Sequence, residues 1–293
     1  MSTWNLPTTT NFTDLPASRF RLMTVDLDSI VSPAGALDPA DAGALRAAHA
    51  MGVKVALASA LSPQAIHRYW AQLGLGAPVI AFDGALIYDF PSQKARLGQS
   101  LDRDMLAQLL QHVQRSAPKA PVVLERADVW VANKIGALVR TTIAQTSLWP
   151  QISGDLSGYL DRPVYRVTIE AAPDKLDALQ AELPVAGLVA SRSSDPDKLT
   201  LRSMAATRDW ALSALAGLQE VSLDEVVVIG GRSGDGARLD PAALAALMTN
   251  AVAGAGVLVS DPESPVTYGD GADLAAEPAA EESDTDLWLT TER

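Results

Sequence analysis

No cysteine occurs among the 293 residues, so disulfides, thiolate nucleophiles and thiolate metal sites are excluded. Histidine appears only three times, too few for a His-rich metal centre. Basic residues are short as well: 23 Lys and Arg face 35 Asp and Glu, a net charge of −12. That balance argues against nucleic acid or an anionic membrane surface as the main partner. No run of about 18 uncharged apolar residues is present, so no membrane span is expected. The first 16 residues are polar and lack an apolar signal core, which points to a cytoplasmic protein. Half the composition is nevertheless hydrophobic (48%), enough to bury a full core, and the length suggests about two domains.

What is present begins with an acid pair. The run Phe20-Arg-Leu-Met-Thr-Val-Asp-Leu-Asp-Ser-Ile30 reads as a buried strand whose C-terminal end carries Asp26 and Asp28. In open α/β sheets that end faces the ligand crevice. Two close carboxylates either serve a cation or divide nucleophile and acid/base roles, and the same residues also suit a strand entering an Asp-rich turn.

Strand and helix patterns then alternate. A helix is predicted from about Pro39 to Met51, closed by Gly52, and Val53 to Ser59 reads as a second buried strand. Ser62-Pro63 opens a helix to about Leu73, and Pro78 to Phe82 forms a short third strand ending at the turn signal Asp83-Gly84. Units of this kind predict a doubly wound, Rossmann-like parallel sheet.

The middle of the chain differs. An amphipathic helix over Leu101 to Ser116 precedes two paired strands, Pro121 to Glu125 and Val129 to Ala132. Pro163 to Glu170 alternates with period two, as a half-solvated antiparallel strand does. A helix over Pro173 to Leu183 and strands at Gly187 to Ser191 and Lys198 to Leu201 complete an inserted α/β cap. The parallel pattern resumes with a helix from about Ala205 to Leu218, a strand from Glu225 to Gly231, a helix over 241–252 and a strand over 256–260.

Taken in order, Asp26-Leu-Asp28, the strand end at Ser59, Asp83-Gly-Ala-Leu-Ile-Tyr-Asp89, Tyr165 to Glu170, Arg208 to Leu212 and Asp224 to Gly230 with Asp235 resemble the haloacid dehalogenase superfamily, specifically its Cof-type phosphatase branch. The resemblance covers roughly residues 20 to 275. It implies a HAD-like core over 20–87 and 198–275, a cap over 88–197, an N-terminal arm over 1–19 and an acidic, flexible tail over 276–293. It further implies phosphomonoester hydrolysis through a phospho-aspartate on Asp26, with Asp28 as acid and base. Mg²⁺ would be held by Asp26, Asp28 and Asp235. Ser59 and Arg208 would act on the transferring phosphate, and Asp83, Gly84 and Arg232 would line its site. By their own residue types, Ser59 also suits a helix-approach turn and Arg208 a solvated helix position. Trp130, Trp149 and Tyr159 suit either the crevice or cap packing.

The active loops depart from the family pattern. Gly-Asp-x-x-Asn-Asp becomes Gly230-Gly-Arg-Ser-Gly-Asp235, so a direct metal ligand is replaced by Gly231 and the Asn by Gly234. Ser29-Ile30 replaces Gly-Thr, Ser59-Ala60-Leu61 replaces Thr-Gly-Arg, and Asp83 replaces an Asn. Losing one strong electrostatic contact costs about 10²–10³ in rate. The expected function is therefore weak or impaired hydrolysis of a small phosphorylated metabolite, with Mg²⁺ bound weakly or not at all. The alternative is a catalytically inactive pseudo-phosphatase used for binding, assembly or regulation. Residues 261–293 carry ten Asp and Glu against one Arg, and Leu287-Trp288-Leu289 forms an apolar knot suited to docking a protein partner.

Overall fold

The computed structural model describes residues 20–182, 187–192 and 196–230. The expected arm over 1–19, the helix over 241–252, the strand over 256–260 and the tail with Leu287, Trp288 and Leu289 lie outside these residues. So do Arg232 and Asp235.

Two six-stranded sheets organise the described residues. The first contains β1 (Leu22–Asp26), β2 (Lys54–Ala58), β3 (Val79–Ala81), β4 (Leu86–Asp89), β5 (Lys94–Gly98) and β12 (Val226–Ile229), in the order β12-β1-β2-β3-β4-β5. β12, β1, β2 and β3 are parallel, and β4 and β5 fold back as an antiparallel edge. All five residues of β1 are buried, which is why its sequence is apolar up to the first aspartate.

Local chemistry sets the helices on this sheet. Asp38 caps α1 (Pro39–Ala50) by accepting from the Ala40 and Asp41 N–H groups, with Pro39 in the first turn. Ser62 likewise caps α2 (Pro63–Leu73), and Gly74 ends it in the left-handed conformation. α1 and α2 bury Leu45, Ala48, Ile66 and Leu73 against Met23, Val25, Val55 and Leu57. α6 (Arg208–Leu218) buries Ala211 and Leu215 against Leu22, Ala56 and Ile80 on the opposite face. Helices on both faces of a parallel sheet give the doubly wound, Rossmann-like architecture.

The second sheet has the order β10-β11-β9-β6-β7-β8: β6 (Val122–Arg126), β7 (Trp130–Ala132), β8 (Gln151–Ile152), β9 (Val164–Glu170), β10 (Leu188–Arg192) and β11 (Lys198–Ser203). Its pairings are antiparallel except β7 with β8. α3 (Arg103–Ser116) and α5 (Pro173–Glu182) cover one face through Leu106, Leu109, Val113, Leu176 and Leu179 over Leu124, Val167 and Ile169.

Three features differ from the sequence reading. The strands β4 and β5 join the first sheet, so its pairing runs to Gly98, where the sequence suggested no strand over Lys94–Gly98. β9 is central and mostly buried rather than half-solvated, because its neighbours and helices cover it. Finally, α4 (Ala137–Thr146) was not foreseen, its five β-branched residues masking helical periodicity. Its N-cap is Gly136, which has no side chain to offer. Glu170 of β9 supplies the missing acceptor, taking the Ala137 and Leu138 N–H groups at 2.9 Å each. Among the described residues no helix is long and apolar enough to cross a membrane.

The turn between β6 and β7 touches both sheets. Gln64 of α2 donates to the Ala127 carbonyl at 2.8 Å, and buried Arg126 grips Asp128 through two hydrogen bonds of 3.1 Å. Burial would raise the Asp128 carboxyl, but the Arg126 hydrogen bond and charge, with Arg162, outweigh it and hold it below the ordinary value of 3.8. A depressed carboxyl contributes stability above its unfolded pKa and loses it as pH falls through the folded value. Asp128→Asn is therefore expected to flatten the acid limb of the stability curve below about pH 4, measured by urea unfolding across pH.

Candidate active site

Four parallel strands deliver their C-terminal ends to one place, and the register shows how. Asp26 lies opposite Ala58, one residue before Ser59, and Ala58 lies opposite Ile80, just before the Phe82–Gly84 turn. Val25 pairs with Ile229, which brings Gly230 alongside the acid loop.

Asp26 ends β1 and is 9% exposed. Its Oδ1 accepts from the Asp28 N–H at 3.3 Å, capping the short 3-10 turn over Leu27–Ser29. Its Oδ2 meets the Arg208 Nη2 at 2.9 Å. Arg208 is the first residue of α6, where a cation opposes the helix dipole; a buried carboxylate facing it offsets that penalty. Thr207 caps α6 by accepting from the Trp210 N–H at 3.1 Å, which sets the direction in which Arg208 leaves the chain. Asp28 stands exposed beside Asp26.

Ser59 is buried at the end of β2. Its Oγ accepts from the Leu61 N–H at 3.1 Å, which leaves the hydroxyl proton to donate elsewhere. The neighbouring turn is unusual. Phe82, Asp83 and Gly84 take φ values of 51°, 58° and 91°, and a bulky residue such as Phe82 rarely adopts a positive φ. The backbone of Ser59–Leu61 holds it there: the Phe82 N–H donates to the Leu61 carbonyl and the Asp83 N–H to the Ser59 carbonyl, both at 3.2 Å. Gly84 permits the closest approach, since a Cβ there would lie 2.7 Å from the Thr207 carbonyl oxygen. The turn thus seats α6 and, through it, Arg208.

The structure brings Asp26, Asp28, Ser59, Asp83, Gly84 and Arg208 to the same sheet edge. Two further residues were not among the sequence candidates. The Ser29 Oγ donates to the Asp26 carbonyl at 2.6 Å, and a Cβ at Gly230 would fall 2.5 Å from that same Oγ. Ser29 therefore fills the space that Gly230 leaves open. Its place directly after the acid pair was the available signal.

A hard cation takes oxygen donors, and Asp26 and Asp28 provide two. Among the described residues no group of three His, Cys, Asp or Glu could hold a metal, and position 231 is glycine. Among the described residues, Asp26 and Asp28 carry the oxygen donors that a cation such as Mg²⁺ would take; Asp235 lies outside them.

The haloacid dehalogenase-like hydrolase family matches residues 24–255. The chain belongs to that family. Its fold is shared with a haloacid dehalogenase-like hydrolase from Bacteroides thetaiotaomicron, 18% identical with a TM-score of 0.64, over 72% of this chain and 81% of that one. A haloacid dehalogenase-like hydrolase from B. subtilis matches at 18% identity and TM-score 0.60, over 74% and 85%. A subclass IIB sugar phosphatase of the superfamily matches at 14% identity and TM-score 0.58, over 71% and 79%.

Gly230→Ala is expected to destabilise the chain by about 1–3 kcal/mol, since it adds a Cβ at a φ of 71° against Ser29. Combining it with Ser29→Gly should recover at least about 0.5 kcal/mol in a double-mutant cycle read by chemical denaturation.

Proposed function

We propose that this hydrolase is a phosphatase of reduced activity that cleaves a small phosphorylated metabolite. The observation that carries this reading is the 2.9 Å contact between Asp26 and Arg208 at the meeting point of four strand ends. A carboxylate nucleophile needs its charge and that of the phosphate compensated, and Arg208 supplies a fixed positive group.

In this scheme an Asp26 oxygen attacks phosphorus while the bond to the leaving oxygen breaks, and Asp28 gives that oxygen a proton. Asp28 then takes a proton from water. The water oxygen attacks phosphorus, the bond to Asp26 breaks, and inorganic phosphate leaves. Ser59 donates its hydroxyl proton to a phosphate oxygen, beside Gly84 and Asp83, and Arg232 would add a positive group. Mg²⁺, held by Asp26, Asp28 and Asp235, would supply further charge compensation. The cap formed by the second sheet closes over the leaving group. The fold's likeness to a sugar phosphatase makes a phosphorylated sugar the first class to try.

A second reading rests on Gly231, which stands where an acidic metal ligand is expected. Without that carboxylate the chain would serve as a pseudo-phosphatase that binds or regulates, with the acidic segment at Leu287, Trp288 and Leu289 as its contact to a protein partner.

Turnover of p-nitrophenyl phosphate with and without Mg²⁺ decides between them. The phosphatase reading expects Mg²⁺-stimulated hydrolysis that falls by about 10³-fold or more in Asp26→Asn. Equal rates for wild type and variant would leave the binding protein as the function.

A further inference from the structure

Arg166 is the strongest feature that this chemistry leaves unused. It lies near the start of β9, directly opposite Glu125 of β6 in the strand register. Its Nη2 donates to Glu125 Oε1 at 2.8 Å and its Nε to Oε2, a two-pronged grip on one carboxylate. The remaining edge of the guanidinium crosses to the other sheet, where Nη1 donates to the Ala60 carbonyl at 2.6 Å. The guanidinium carbon also stands 5.3 Å from the centre of the Phe82 ring. Tyr165, the preceding residue, stacks on that same ring at 5.9 Å with an interplanar angle of 10°.

These contacts converge on the turn that carries Ser59. Its three successive carbonyls are each held by a different donor: Ser59 by the Asp83 N–H, Leu61 by the Phe82 N–H, and Ala60 by Arg166. Two of these donors belong to the left-handed turn, whose conformation is costly without support. The third comes from the second sheet, 106 residues away in the chain. Glu125 fixes the guanidinium so that its last edge can point at one carbonyl.

We propose that Arg166 is a positioning residue that locks the Ser59–Leu61 turn and, through Phe82, the turn behind it, so that both take their working geometry only when the second sheet is seated. This rests on the reading of Asp26 and Ser59 as phosphate-handling residues. Lysine cannot replace it, because an ammonium has no planar fork to bind the carboxylate twice and still reach Ala60.

The test uses the full chain in three forms: wild type, Arg166→Lys, and the double variant Arg166→Gln/Glu125→Gln, which removes both charges of this pair together. Hydrogen–deuterium exchange reads the amides of Leu61, Phe82 and Asp83, with Met23 to Val25 of β1 as the reference. p-Nitrophenyl phosphate turnover reads kcat and KM separately. Both variants are expected to exchange about tenfold faster at the three turn amides, with β1 unchanged. kcat is expected to fall about 10–100-fold while KM moves by less than about threefold.

Unchanged exchange at the turn overturns the proposal whatever the activity, and acceleration spread equally into β1 overturns it as general loosening. In an active wild type, faster turn exchange with unaltered kcat overturns the positioning role. If wild type shows no turnover at all, the phosphatase reading fails by itself, and the exchange data alone decide whether Arg166 holds the turn.

Discussion

The Asp26 carboxylate and the Arg208 guanidinium are separated by 182 positions in sequence and by 2.9 Å in space. Between them the chain builds the outer part of the first sheet and all of the second. The pair therefore forms only when β1 and α6 are both seated on the first sheet. Ion pairs of partly exposed groups contribute little stability, and with Arg208 side-chain exposure of 38% this one is better understood as an arrangement of charge than as a brace. It places a compensated anion at the crevice end of a parallel sheet, where peptide dipoles and helix starts already favour negative ligands.

The surroundings accept unfavourable local structure to keep that arrangement. Positive φ values at Phe82 and Asp83 and a cation at the first position of α6 each break a local preference. Rules broken together at one place mark a site whose geometry is set by something other than stability. The supports come from elsewhere: the Ser59–Leu61 backbone, the Thr207 cap, and a guanidinium that reaches over from the second sheet.

Much of this was legible beforehand. The buried run through Leu22 to Val25 ending in two acids, the helix starts at Pro39 and Ser62-Pro63, and the Asp83-Gly84 turn signal each rest on interactions within a few residues, and the structure has them where local chemistry put them. The candidates Asp26, Asp28, Ser59, Asp83, Gly84 and Arg208 fall on one sheet edge because parallel strands of similar length end together. What escaped the reading was non-local. α4 depends on a cap lent by Glu170 from another strand. The first sheet gains β4 and β5 because an antiparallel edge needs only a partner. Arg166 reads as one more polar residue on an alternating strand until Glu125 and Ala60 are brought beside it.

The sequence by itself determined the strand-and-helix rhythm, the positions of the caps and the family, since these follow from burial period, capping chemistry and motif order along the chain. Only the tertiary structure decided which carboxylate oxygen meets which guanidinium, and how the two sheets share their contacts. It also decided that Ser29 occupies the hollow beside Gly230. These outcomes depend on register, side-chain direction and backbone φ, which are properties of packed elements and have no counterpart in a linear order of residues.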